Sequence, residues 1–322
     1  GHLGGKLAEL EWRHTHSAQY GIDFNEGDLA LYTAKRIRNL LEPLGATVML
    51  TREESGKGAF PLSYEEWKKD PAAVRAAVEE VVRANTYAYE TAGELESSKR
   101  WSDFRIFFDA YLRVDRLARI QKITYIIHYN SSGAEKEFTT HLNLNVAFIP
   151  GGFETRRLNY QNARAALLRI LISNEMDSSQ SLCEILVHKM DEKTGLGPMK
   201  RSVFDSEEAA DYLYTELTHK LPIENDSFRG LLQNVIYPFK FGRLVAPKVF
   251  MRNLDISTFA LGTSCYGESL FQDNLEEARR LNRRDFIVDG VATSKRVDEV
   301  AHAYAESVLE FLGLDAQMLN SI

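Results

Sequence analysis

From Asp28 to Leu44, apolar residues recur at helical spacing. Leu29, Ala30, Ala34, Ile37, Leu40, Leu41 and Leu44 form one stripe, and Gly45 follows where a left-handed residue ends a helix. A similar stripe closes the chain. Ser294 stands at a capping position, Val297, Val300, Ala301, Tyr304, Val308 and Leu312 share a face, and Gly313 stops it. Between these helices, short β-rich runs predict strands from Ala46 to Leu50, Ile123 to Ile127, Asn145 to Ile149 and Phe259 to Thr263, the third halted by Pro150-Gly151-Gly152. Strands alternating with helices predict an α/β fold: a twisted, mostly parallel open sheet with helices on both faces. Sites in such sheets lie at the carboxyl ends of strands. His128 and Glu268 each stand where a predicted strand ends, so one sheet edge gathers both.

Two stretches interrupt this pattern, roughly residues 55–110 and 152–245. The first predicts helices from Pro71 to Tyr89 and Ser102 to Gln121. The second predicts them at Arg156 to Ser173, Ser179 to Met190 and Ser206 to Leu221. The expected organisation is a single domain over residues 1–322 carrying two mainly helical insertions. Hydrophobic residues at 44% and charged residues at 26% provide for an ordinary globular core. A net charge of −7 leaves no basic surplus for phosphates, which argues against a nucleic-acid partner. No run of about 18 or more apolar residues offers a membrane span. Cys183 and Cys265 neither require nor exclude an oxidising compartment, and both suit packing positions.

Four segments, far apart in the chain, each supply one residue of a metal-hydrolase set. They are Gly1-His2-Leu3-Gly4-Gly5, Asn25-Glu26-Gly27-Asp28-Leu29, Ile127-His128-Tyr129-Asn130-Ser131 and Gly267-Glu268-Ser269-Leu270-Phe271-Gln272-Asp273-Asn274. Two histidines and a carboxylate can hold zinc with a fourth position open to water. A further carboxylate beside that water serves as general base and acid. Glu26 at a helix start also suits the helix dipole without any metal. His14 and His16, in Arg13-His14-Thr15-His16, are reserve ligands should His2 not serve.

In order and context these segments resemble the zinc-dependent N-acetylmuramoyl-L-alanine amidases of the type-3 class, which trim bacterial peptidoglycan. Gly1-His2 matches the end of that family's opening Asp-Pro-Gly-His-x-Gly-Gly motif, so a first strand is expected upstream. Glu26, the helix behind it and Thr47-Val48-Met49-Leu50-Thr51-Arg52-Glu53 match the next elements. Asp115-Arg116-Leu117-Ala118-Arg119-Ile120-Gln121 leads into the strand ending at His128 and Asn130. Gly267 to Glu277 matches a motif like Val-Glu-Thr-Ala-Phe-Ile-Ser-Asn-Pro-Glu-Glu without a gap at its Glu, Phe, Asn and Glu-Glu positions.

The resemblance implies hydrolysis of the amide between N-acetylmuramic acid and L-alanine. One Zn2+ would be held by His2, Glu26 and His128, with a zinc-bound water as nucleophile and Glu268 as general acid/base. Asn130, Arg116 and Asn274 are the candidates for substrate contact. Peptidoglycan is the implied partner, and the implied location is extracytoplasmic, periplasmic or secreted. Two other readings stay open: a hydrolase of the same fold acting on another amide, and a non-catalytic protein that binds or regulates the cell wall. The polar approach Thr263-Ser264-Cys265-Tyr266 to Glu268 and the two insertions favour the first of these.

Overall fold

The computed structural model describes residues 14–56, 69–70, 72, 120–131, 138–152, 161–172, 175–197, 200–203, 206–208, 243–252 and 261–321. β1 (His14–Ser17) and β2 (Ile22–Asn25) form an antiparallel hairpin that turns at Gly21, whose φ of 64° is glycine territory. β2 runs without a break into α1 (Glu26–Leu41). Leu29, Ala30, Ile37, Leu40 and Leu41 are buried on the expected stripe, and a 3-10 turn at Glu42–Leu44 ends at left-handed Gly45. The run from Ala46 to Leu50 departs from expectation. It is not a strand, and Ala46, Thr47 and Met49 are exposed. β-propensity yields a strand only where a neighbouring edge takes up the backbone hydrogen bonds, and no described strand borders this run.

The central sheet holds β3 (Ile120–Asn130), β4 (Val146–Pro150), β5 (Arg243–Ala246), β6 (Val249–Arg252) and β7 (Leu261–Phe271), in the order β3-β7-β4-β6-β5. β3 runs parallel to β7 and β4 to β6, whereas β4 and β7, and β5 and β6, are antiparallel. The fold is α/β with a mixed sheet. Two strands are longer than the sequence suggested: β3 continues to Asn130 and β7 to Phe271. His128 and Glu268 therefore sit inside paired strands near their carboxyl ends rather than just beyond them. β5 and β6 are an added hairpin, turning at Lys248 with φ 62°.

The remaining helices are α2 (Gln161–Ile172), α3 (Glu175–Thr194), α4 (Leu275–Leu281) and α5 (Lys295–Phe311). Ser294 caps α5 by accepting a hydrogen bond from the Arg296 amide at 3.1 Å. Val297, Val300, Ala301 and Tyr304 are buried as expected, while Leu312 lies at the rim. Residues on α1, α3 and α5 share one core with Ile127, Tyr129 and Cys265 of the sheet. Leu182, Leu186 and Met190 of α3 are among its most buried side chains, so the 152–245 stretch supplies part of the central core. Cys183 of α3 is paired with Cys265 of β7, their Cα atoms 5.6 Å apart. The opposite sheet face carries a smaller apolar cluster of Ile126, Leu144, Val146, Phe148, Tyr266 and Phe271. The helices expected around Pro71 to Tyr89, Ser102 to Gln121 and Ser206 to Leu221 lie almost wholly outside the described residues.

Candidate functional site

Because α1 starts where β2 ends, Glu26 is its first residue and sets a carboxylate at the positive end of the helix. The residue is only 1% exposed. Its Oε1 lies 2.9 Å from His128 Nδ1 and accepts the Tyr129 amide at 3.3 Å, while Oε2 accepts from Gln272 Nε2 at 3.0 Å. Both carboxylate oxygens are thereby aimed. Gln272 is itself held, donating to the Tyr129 carbonyl at 3.3 Å and accepting from Thr15 Oγ1 at 2.8 Å. Buried Arg52, from the Thr51-Arg52 motif, donates to the Gly27 carbonyl in the first turn of α1.

His128 projects from the β3 face that carries the smaller apolar cluster. Its ring stacks on Tyr266, with centroids 4.6 Å apart and planes 15° from parallel. Glu268 is the ladder partner of His128 on β7, so the two side chains leave adjacent strands on the same face. Just beyond Glu268 the ladder slips. Leu270 takes a left-handed φ of 54° and the pairing shifts between Tyr129 and Asn130. Such a bulge re-aims side chains: Leu270 turns fully into the core, and Gln272 comes round to reach Glu26. On the reverse of β7, Gly267 admits the Tyr304 hydroxyl; a Cβ at that position would lie 2.1 Å from it.

A third group occupies the outer face of the hairpin. His14 Nε2 is 2.6 Å from Asp23 Oδ1, and His16 Nδ1 is 3.7 Å from the same oxygen. The hydrogen bond from His14, against a smaller opposing effect of burial, lowers the Asp23 pKa below its ordinary value. One ligand atom from each of the three residues falls within 4.8 Å of the others. The inner face holds Thr15 and Phe24, both buried, and Thr15 contacts Gln272. His14 and His16 thus stand on the hairpin face opposite the Thr15 side chain that reaches Gln272.

Of the residues singled out from sequence, Glu26, His128 and Glu268 lie together. Asn130 ends β3; its carbonyl accepts the Gln272 amide at 2.9 Å and its side chain accepts the Ser131 amide at 2.9 Å. Asn274 caps α4, accepting from the Glu277 amide at 3.1 Å and donating to the Thr140 carbonyl at 3.3 Å. Both ends of its side-chain amide are engaged in structure. His2 and Arg116 fall outside the described residues. Sequence reasoning missed Gln272, which lies within the Gly267–Asn274 segment, and Tyr266, which immediately precedes it.

The donor set suits zinc: a buried imidazole nitrogen and a buried carboxylate oxygen converge, and both atom types are ordinary zinc ligands. The chain matches no protein-family model and no curated protein sequence. Among solved structures it is similar to the CwlD amidase from Clostridioides difficile, determined in complex with the GerS lipoprotein, at 12% identity over 90% of this chain and 88% of that one, with a TM-score of 0.43.

Proposed function

We propose that this chain is a zinc-dependent N-acetylmuramoyl-L-alanine amidase that cuts peptidoglycan, with His2, Glu26 and His128 holding the metal and Glu268 acting as general acid/base. The observation that carries the reading is the buried contact of Glu26 with His128 beside Glu268 in the ladder. A zinc ion there would supply carbonyl polarisation and a water acidified to a pKa of about 7. The protein's own residues do the rest. Gln272 and the Tyr129 amide fix the Glu26 carboxylate, and the Tyr266 ring fixes the plane of His128. Glu268 takes the proton from the attacking water and passes it to the departing amine of L-alanine. Asn130 and Arg116 are the candidates to orient the muramyl peptide. The Cys183–Cys265 pair supports an extracytoplasmic location, because such bonds persist in oxidising compartments.

Glu268→Gln tests the mechanism directly. Hydrolysis of purified muropeptides should fall by about 10²–10⁴-fold, the usual weight of a general acid/base. Zinc content and melting temperature should stay at wild-type values. Hydrolysis at the wild-type rate would remove Glu268 from the chemistry.

A further inference from the structure

The geometry points to a second divalent-cation site on the outer face of the β1–β2 hairpin, formed by His14, His16 and Asp23. The sequence builds it simply. His-x-His along a strand puts two imidazoles on one face, since side chains alternate with a period of 2. The tight turn at Gly21 brings Asp23 directly opposite His16 in the ladder. The His14 and His16 rings lie with centroids 5.7 Å apart and planes 35° from parallel. Two ring nitrogens and one carboxylate oxygen already sit within 4.8 Å of one another. Tetrahedral zinc, with ligands at about 2.0–2.2 Å, needs donor separations of roughly 3.4 Å. Small rotations of partly exposed side chains close that difference, since the Asp23 side chain is 69% exposed and that of His16 57%.

The ligand types select the ion. Two imidazoles with one carboxylate favour zinc or another late first-row metal over magnesium or calcium, which prefer all-oxygen shells. Three protein ligands leave a coordination position open to solvent. The site stands apart from Glu26 and His128, because Thr15 and Phe24 fill the hairpin's inner face between them. It therefore holds whether or not the catalytic reading does.

Zinc titration of the chelator-stripped full chain, read as stoichiometry by calorimetry, tests it. The wild type should bind two zinc ions. The His14→Ala/His16→Ala double variant should bind one, and His128→Ala should bind one. Asp23→Asn, a milder change, should bind two, with one of them weakened about tenfold or more. Wild-type stoichiometry in the double variant would overturn the site. So would loss of all zinc in both that variant and His128→Ala, which would mean a single shared ion. If His128→Ala binds as many ions as the wild type while the double variant binds one fewer, the outer site stands and the central metal reading fails.

Discussion

Gly267→Ala probes how β7 is held against α5. The new Cβ would meet Tyr304 Oη at 2.1 Å, Met190 Cε at 2.9 Å and Tyr304 Cζ at 3.0 Å. The methionine methyl is the end of a flexible chain and can move. Tyr304 cannot, because it is fully buried and its ring packs edge-on against Tyr125 with centroids 4.8 Å apart. Either α5 or β7 must shift, and overpacking of this kind costs about 1–3 kcal/mol. At about 2–4 °C per kcal/mol for a large domain, the melting temperature should fall by several degrees. Tyr304→Phe removes the oxygen that makes the closest approach and leaves contacts that need give only by a few tenths of an ångström. In that background Gly267→Ala should cost under about 1 kcal/mol. Urea unfolding of the four variants followed by circular dichroism gives the coupling directly. Equal cost in both backgrounds would refute the steric account of this glycine.

Two further outcomes follow from the same core. Cys183 and Cys265 are 82 positions apart, so losing the bond through Cys183→Ser should destabilise the chain by about 4.5 kcal/mol on the loop-entropy account; a melting temperature equal to that of the wild type would contradict it. Arg296 donates to Glu277 at 2.8 and 3.1 Å and to the Thr194 carbonyl at 2.8 Å, with both charged groups buried. Arg296→Met strands the Glu277 carboxylate and should cost about 3–5 kcal/mol in urea, whereas adding Glu277→Leu should recover part of that loss.

The helices were the most legible part of the sequence. α1 and α5 announce themselves through one-sided apolar stripes, a serine cap on α5 and a terminal glycine on each, all of them local signals. β7 was read only in part. It lies between β3 and β4 with both faces covered, so Ser264, Gly267 and Ser269 break the alternation a half-exposed strand would show. The run from Ala46 to Leu50 has strand composition but no described neighbour, and composition cannot supply one. At the candidate site, short motifs pointed to Glu26, His128 and Glu268, which the fold brings together. Gln272 was not: what it does depends on Thr15 and Glu26, partners 257 and 246 positions away.

Those long separations bear on the order in which the protein can be made. Glu26 waits for Gln272, the β3 ladder waits for β7, the Asp23 amide waits for the Asn282 side chain, and Arg36 waits for Asp298. A nascent chain released before β7 would carry Glu26 and His128 without the strand and the amide that align them. Loop closure over such distances is slow and comes late in folding. The Glu26–His128–Gln272 cluster therefore cannot assemble until β7 has been synthesised, and a fragment cut short of it lacks the strand and the amide that align these side chains.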